Sequence, residues 1–448
     1  MLVASISIGM LVASIFFFFQ TFRHSRKLKL TTHHHQNKSS TPTSQEMDLL
    51  TSGVEILLSL FLLWALRACL TSYPKTTALF FAMAAYKTSH FFTSPLTSTS
   101  SFLSVTTMKA ALFAPGVGEH GIEVKEIPVP HHHKDYELLV KVRAAGLNPS
   151  NFKVNMAKLP FYRHTNGGHH AIGYDVEGTI LSVGSHADCE IFKPDQHVYG
   201  FASSGSIAEY AVVACARAGR SPKSLTPVES GGLPVVALTS LEAWDRTHLK
   251  AGDHVLVIGA SGGCGTFGVS IAKARHATVT GICSTKNVEL VKGLGADVVV
   301  DYTQQTQMNA LIQGGRQFDI IYDTVSSFAP EDPDYEPTMR PLLKTGGKYV
   351  AINGYPLDWT RAIWEKILFN PFFNVSIQRK DYDLFLLTPT SQKLHVLATM
   401  IDSGQVAKTV VDTVYPLTEE TLNEAFALIK SRRVVGKIIF EFSPPPFN

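Results

Sequence analysis

The chain has 448 residues, of which 45% are hydrophobic, and its formal net charge is +3. These values suit a globular protein with two or three domains, and they exclude a collagenous or wholly disordered chain. Residues 1–107 contain eight basic residues against three acidic ones, which leaves the remainder nearly neutral. A nearly neutral remainder argues against nucleic acid as a partner, because phosphate recognition needs a concentrated basic surface.

Residues 1–107 form an extension with its own composition. Residues 1–22 carry no charge and are long enough to cross a bilayer as a helix, and the basic segment Arg23–Lys29 follows at once. The positive-inside rule then predicts a membrane anchor that leaves the rest of the chain in the cytosol. An acid-poor extension rich in Ser and Thr is also typical of a chloroplast or mitochondrial transit sequence. Anchor, transit sequence and mispredicted gene start all stay open, and the polar tract Thr31–Gln45 is expected to be disordered.

The cysteines and histidines predict no metal site. The five cysteines lack a C-x-x-C pair, so we expect reduced thiols and neither a disulfide framework nor a structural zinc site. The histidine clusters His131–His133 and His169–His170 lie in turn-like segments without a second pair of ligands. A closed metal site needs about four ligands, so solvated loops are the better interpretation.

From Met108 onward the pattern predicts an α/β fold in which a β-rich region precedes an alternation of strands and helices. Short strands separated by turns predict a first β-rich domain at residues 108–232. Apolar strands that alternate with helical stretches predict a parallel sheet at 233–370. A mixed pattern at 371–448, ending in the strand Gly436–Phe442, predicts a return to the first domain.

A glycine-rich turn lies between a buried strand and a helix. The strand Val255–Gly259 is followed by Ala260–Gly265 and then by an apolar-periodic helix. Glycines let the backbone approach a pyrophosphate, and the helix N-terminus directs its free N–H groups at that anion. Strand, turn and helix in this order predict a dinucleotide site. The residues expected at it are Ser261, Gly262, Gly263, Cys264 and Gly265.

The next strand, Thr278–Cys283, predicts the form of the dinucleotide. An acidic residue at its end would bind the ribose 2′-hydroxyl of NAD, but this chain has Ser284, Lys286 and Asn287 there. Hydroxyl and cationic groups suit a 2′-phosphate, so the sequence favours NADPH as cofactor.

Taken in order, Gly259–Gly265, Leu294–Asp297, Asp301–Tyr302 and Gly436–Lys437 resemble the zinc-independent quinone oxidoreductase and alkenal reductase branch of the medium-chain dehydrogenases. The resemblance covers about Met108 to Phe442, and the segments Ser376–Leu387 and Val410–Pro416 are especially similar to chloroplast-envelope quinone oxidoreductase homologues and alkenal reductases. It implies a split GroES-like catalytic domain around a doubly wound Rossmann domain, and relatives of this kind often form homodimers. It also implies that Lys286 and Tyr302 contact the 2′-phosphate and that Lys437 reaches the cofactor.

Zinc-dependent relatives carry Cys-His-Ser-Asp and Gly-His-Glu where this chain reads Asn148-Pro-Ser-Asn151 and Gly173-Tyr-Asp175. Amide and phenol groups bind Zn²⁺ poorly, so the resemblance implies catalysis without zinc. Asn151 replaces the aspartate usual in the family, which alters or removes that residue's role.

A zinc-independent reductase places a hydride against an electron-poor carbon while donors stabilise the substrate oxygen. We expect Asn148 to act as a donor at the nicotinamide or substrate, and Lys153 and Tyr174 to polarise the oxygen or relay a proton. The expected substrate is a quinone or an α,β-unsaturated carbonyl compound. Two alternatives stay open: an idle NADPH-binding scaffold or sensor, and an enoyl-thioester reductase.

Overall fold

The computed structural model describes most of the chain from residue 105 onward. The described ranges are 97–98, 105–113, 121–130, 132–156, 165–166, 169–170, 172–315, 317–327, 333–354 and 382–442. The expected anchor at residues 1–22 and the polar tract that follows it lie outside these ranges. Within the ranges, no helix combines the length and the apolarity that a bilayer crossing requires.

Alternating apolar residues build the β-rich domain. Its strands are β1 (Thr107–Phe113), β2 (Ile122–Pro128), β3 (Glu137–Leu147), β4 (Asp175–Val183), β5 (His197–Ala202) and β6 (Tyr210–Arg220). Strands β1 and β2 form an antiparallel hairpin, while β3, β4, β5 and β6 pair in sequence and β6 pairs back onto β3. Leu138, Val140 and Val142 of β3 contribute to the core that this closed arrangement encloses. Helix α1 (Pro149–Met156) directly follows β3.

A parallel sheet forms the Rossmann domain. Its strands are β7 (His254–Ile258), β8 (Thr278–Cys283), β9 (Val298–Asp301), β10 (Phe318–Asp323), β11 (Leu343–Ala351) and β12 (Tyr382–Leu384). Helix α2 (Pro227–Gly231) precedes this domain and packs on strands β3 and β4 of the β-rich domain. The helices of the Rossmann domain are α3 (Pro234–Thr247), α4 (Gly263–Ala274), α5 (Val288–Gly293), α6 (Gln305–Gln313), α7 (Glu336–Met339) and α8 (Ser391–Asp402). The strand order is β9-β8-β7-β10-β11-β12, so the order reverses between β7 and β10. Ligands of such sheets bind at the carboxyl ends of the strands beside this reversal.

Strand β7 shows why the sheet must be covered on both faces. Val255 and Val257 join one hydrophobic cluster, with residues of α3, α4 and α8, whereas Leu256 and Ile258 join another on the opposite face. All four side chains are fully buried, as expected for a central parallel strand between two helix layers. The predicted α/β fold, with its β-rich and parallel-sheet domains, is confirmed.

The Rossmann domain also includes residues that follow the expected boundary at 370. Strand β12 pairs in parallel with β11, and α8 packs Leu394, Leu397 and Ile401 into the same cluster as β7. The chain then returns to the β-rich domain through β13 (Val411–Pro416), α9 (Glu419–Lys430) and β14 (Lys437–Glu441). Strand β14 lies between β13 and β3, which places residue 437 beside the end of β3.

The expectation that all cysteines are reduced thiols is wrong for one pair. Cys189 and Cys215 form a disulfide, with Cα atoms 5.2 Å apart and a sequence separation of 26. Both lie in the core of the β-rich domain, where the turn after β4 packs against β6. No sequence spacing indicates this pairing, because the fold alone brings the two segments together. Cys264 and Cys283 are free thiols.

Candidate active site

The glycine-rich turn leads from β7 into α4 as predicted. Gly262 is the N-cap of α4 and supplies no side-chain cap, so the first N–H groups of the helix have no acceptor within it. A Cβ atom added at Gly262 would meet only the Gly259 carbonyl oxygen, at 3.4 Å, whereas one added at Gly265 would lie 2.0 Å from that oxygen. Gly265 therefore permits the close approach of helix and strand, while Gly262 leaves an open cradle. Both features fit a pyrophosphate group.

The cradle is joined to the returning C-terminal segment. The Gly436 amide donates to the Ser261 carbonyl oxygen at 2.9 Å, and Gly262 and Gly436 form a parallel β-bridge. Gly436 has φ of +76°, and an added Cβ atom would lie 2.1 Å from the Val410 carbonyl oxygen. Only glycine fits here without strain, which explains why a glycine directly precedes β14.

Three predicted cofactor residues follow β8, with different surroundings. Asn287 is buried, and its amide nitrogen lies 2.9 Å from the Ser261 hydroxyl and 3.3 Å from the Ser284 hydroxyl. Asn287 thus ties the end of β8 to the glycine-rich turn, and its donor serves protein atoms. Ser284 is partly exposed and Lys286 is exposed, so both are accessible to a ligand at the carboxyl end of the sheet.

Tyr302, at the end of β9, lies beside the residues that follow β8. Tyr302 follows β9 and is 38% exposed, and its backbone amide donates to the Cys283 carbonyl oxygen, which holds it beside the end of β8. The Arg433 guanidinium, which comes from the segment after α9, donates to the Tyr302 hydroxyl at 3.4 Å. Sequence reasoning missed Arg433. The only available signal was a basic pair, Arg432 and Arg433, shortly before the Gly-Lys motif.

The nearby carboxylate of Asp301 is occupied by protein donors. Burial alone would raise its pKa, but hydrogen bonds from Thr285 and Thr303 outweigh burial and lower it. The side chain is 2% exposed, and both hydroxyl groups lie within 2.7 Å of its oxygens. Asp301 is therefore ionised and hydrogen-bonded to Thr285 and Thr303.

Asn148 lies in a buried network of hydrogen bonds. Its amide nitrogen donates to Asp175 at 2.9 Å, and its amide oxygen accepts from the Lys437 ammonium at 2.6 Å. Lys437 also donates to Asp175 and to the Leu147 carbonyl oxygen, each at 3.0 Å. The Asn148, Asp175 and Lys437 side chains are all 3% exposed or less. Asn148 and Lys437, which were expected to contact substrate or cofactor, are thus satisfied within the protein.

Asn151 belongs to this network, and the remaining two predicted catalytic residues, Tyr174 and Lys153, lie near its members in the chain. Asn151 is buried, and its side-chain oxygen accepts from the Asn148 amide at 2.8 Å, so the asparagine still supplies an acceptor at this position. Tyr174 is partly exposed and directly precedes Asp175. Lys153 lies within α1. Of the three predicted catalytic residues, Asn148 is therefore held in the network, and Tyr174 is next to it in the chain.

Burial dominates the electrostatics of the network. Desolvation raises the pKa of the Asp175 carboxyl, opposed by the Lys437 ammonium and by hydrogen bonds from Asn148 and the Val235 amide. The same surroundings reach the glycine-rich turn, where burial raises the pKa of the Cys264 thiol to about 12. Cys264 is therefore a protonated, poorly nucleophilic thiol at neutral pH.

The side chains at the site also indicate whether it could bind a metal ion. Within the described part of the chain, no group of three or more His, Cys, Asp and Glu side chains is arranged to hold a metal ion. At the positions where zinc-dependent relatives carry ligands, Asn148 is engaged with Lys437 and Asp175. A cationic ammonium group within this network does not suit a Zn²⁺ site.

Comparison with known proteins agrees with this architecture. Residues 134–223 match the alcohol dehydrogenase GroES-like domain, and residues 294–440 match a family described as zinc-binding dehydrogenase. The chloroplast envelope quinone oxidoreductase homologue of Arabidopsis thaliana is 30% identical over 339 residues, covering 73% of this chain and 95% of that protein. The 2-methylene-furan-3-one reductase of Solanum lycopersicum is 28% identical, covering 69% of this chain and 73% of that protein. A quinone oxidoreductase structure from Coxiella burnetii aligns with a TM-score of 0.63 at 22% identity, over 75% of this chain and all of that one.

The fold and the glycine-rich cradle define an oxidoreductase that uses a nicotinamide dinucleotide. The chain belongs to the medium-chain dehydrogenase/reductase superfamily, with a GroES-like domain and a Rossmann domain.

Proposed function

We propose that the protein is a zinc-independent, NADPH-dependent reductase of quinones or α,β-unsaturated carbonyl compounds. The observation that carries the cofactor choice is the pairing of Tyr302 with Arg433 beside the exposed Lys286. Lys286 after β8, Tyr302 after β9 and the Arg433 guanidinium bonded to Tyr302 together suit a ribose 2′-phosphate. The nearby Asp301 carboxylate is engaged by Thr285 and Thr303, so it does not serve the 2′-hydroxyl that marks NAD.

The substrate class is supported by the relatives and by the site. The Arabidopsis relative is named as a quinone oxidoreductase homologue, and the Solanum lycopersicum relative is named a 2-methylene-furan-3-one reductase. When bound, the nicotinamide supplies a hydride, and the substrate oxygen then gains charge and takes up a proton. Tyr174, partly exposed beside the buried network, is the described side chain that we propose to donate to this oxygen. Lys153 of α1 is proposed as a second donor.

The decisive experiment measures NADPH and NADH oxidation by the purified full-length protein, with one quinone and one short enal as acceptors. Turnover with a preference for NADPH supports the proposal. Tight NADPH binding without turnover of either acceptor would instead favour an idle scaffold or sensor. Turnover of an enoyl thioester alone would favour the enoyl-thioester reductase.

Variants test the cofactor choice separately. Arg433→Ala and Lys286→Ala each remove a cation from the proposed phosphate site, so each should raise KM for NADPH about 10- to 100-fold and leave KM for NADH unchanged. Lys292→Ala is the matched control, because Lys292 is exposed and pairs with Glu289 on α5. Equal effects on both cofactors would contradict the assignment of the phosphate site.

The location of the protein is a further part of the proposal. We propose organellar targeting through the extension, in line with the chloroplast relative. A fluorescent fusion of the full-length chain should then label chloroplasts or mitochondria. Labelling of another membrane would favour the anchor at residues 1–22, and diffuse cytosolic signal would contradict both. A homodimer also stays a prediction, for which light scattering is the direct measurement.

A further inference from the structure

Lys437 and Asp175 form a charged pair in the interior, at the meeting point of four segments. Their side chains are 3% and 0% exposed, and Nζ lies 3.0 Å from the carboxylate. The other two ammonium hydrogen bonds go to the Leu147 carbonyl oxygen and the Asn148 side chain at the end of β3. An ammonium group has three protons, so its hydrogen-bonding capacity is fully used within the protein.

Asp175 extends the pair to the start of α3. Its second carboxylate oxygen accepts from the Val235 amide at 2.7 Å. Pro234, the first residue of α3, has no amide proton, so Val235 supplies the first N–H group of this helix. A carboxylate at this end of a helix is also favoured by the helix dipole.

Both ends of the pair lead to the glycine-rich turn. On one side, Gly436 donates to Ser261, and a Cβ atom added at Gly263 would lie 3.3 Å from Cδ of Lys437, so the lysine stem packs under the turn. On the other side, the Ser240 hydroxyl of α3 donates to the Cys264 carbonyl oxygen at 2.7 Å. A closed circuit of contacts therefore joins the turn, β14, β4 and α3.

Stability alone does not explain such a pair. Desolvation of two buried charges often cancels their attraction, and apolar replacements of similar size are frequently as stable. The pair instead fixes the relative positions of segments. Hydrogen bonds from or to its members and Asn148 connect segments of both domains.

We propose that Asp175 and Lys437 are positioning residues that hold the glycine-rich turn and the start of α3 in the geometry needed for dinucleotide binding. The inference rests on binding of the dinucleotide and is independent of which acceptor the enzyme reduces. It assigns Asn148 to the same positioning network.

The test compares NADPH affinity, from cofactor fluorescence, among full-length variants. Asp175→Asn and Lys437→Met should each raise the Kd about 5- to 150-fold, and the double variant should be no worse than the weaker-binding single one, since the two act through one contact. At saturating NADPH, kcat should change less than Kd. The matched control is Glu177→Gln, which breaks the buried pair of Glu177 with Arg143 on the same strand β4.

Several results would overturn the inference. One is a folded Asp175→Asn, Lys437→Met or double variant that binds NADPH within twofold of the unchanged protein. Another is a Glu177→Gln variant that weakens binding equally, because the effect would then be a general loss of rigidity. If the unchanged protein does not bind NADPH at all, the result would instead count against the proposed function.

If the variants do not fold, amide hydrogen exchange on the unchanged protein tests the same proposal. NADPH should slow amide exchange in the turn at 261–265 and also in the peptides that contain Asp175 and Lys437. If NADPH slowed amide exchange only in the turn, the proposed coupling of the turn to Asp175 and Lys437 would be contradicted.

Discussion

Replacing Gly436 by alanine should destabilise the protein in two ways, through backbone strain and through steric crowding. Gly436 is also the residue whose amide bonds to Ser261 in the glycine-rich turn. The backbone has φ of +76°, where an L side chain is disfavoured by about 1–2 kcal/mol. The new Cβ atom would also lie 2.1 Å from the Val410 carbonyl oxygen, so the backbone must move, which typically costs about 1–3 kcal/mol. The free energy of unfolding should therefore fall by roughly 2–5 kcal/mol.

Gly404 provides a matched control within the same chain. Its φ is +72°, but an added Cβ atom would meet nothing within 4 Å. Gly404→Ala should therefore show the conformational cost alone, about 1–2 kcal/mol. Urea denaturation followed by circular dichroism measures both changes, and the difference between the variants isolates the crowding at Val410.

The two variants should also differ in their affinity for NADPH. Movement of Gly436 displaces its hydrogen bond to Ser261, so Gly436→Ala should weaken NADPH binding and Gly404→Ala should not. Equal losses of stability in the two variants, together with equal NADPH affinities, would refute the packing argument.

Two further predictions concern stability. Replacing both Cys189 and Cys215 by alanine should lower the free energy of unfolding by roughly 3 kcal/mol, because the disulfide closes a loop with a sequence separation of 26. Reductant should destabilise the unchanged protein and leave that variant unaffected; an unchanged protein insensitive to reductant would contradict the disulfide. For Asp402, burial raises the carboxyl pKa, but hydrogen bonds from Ser224 and Lys223 outweigh it and lower the pKa below 3.8. A lowered folded pKa contributes stability above the unfolded pKa, and that stability is lost as pH falls through the folded pKa. Asp402→Asn should therefore be less stable than the unchanged protein at neutral pH, and the difference should shrink as pH falls below the folded pKa. A stability difference that does not vary with pH would contradict this account.

Local patterns determined the order of elements and the cofactor turn. Apolar alternation marked β3 and β4, and the continuous apolar run marked β7, because side-chain periodicity follows directly from backbone geometry. The glycine-rich turn was equally readable, since strand, glycines and helix are contiguous in the chain. The Asn-Pro-Ser-Asn segment at 148–151 was singled out by its family resemblance, but its contacts with Asp175 and Lys437 were not predicted.

Only the tertiary structure decided which distant residues meet. Arg433 reaches Tyr302 across 131 residues, Lys437 reaches Asp175 across 262, and Cys189 pairs with Cys215 without any spacing signal. The physical reason is that a hydrogen bond or a disulfide depends on spatial approach, and the crossing of β14 beside β3 and the glycine-rich turn creates that approach. Sequence periodicity records which face of an element is buried, but not which element covers it.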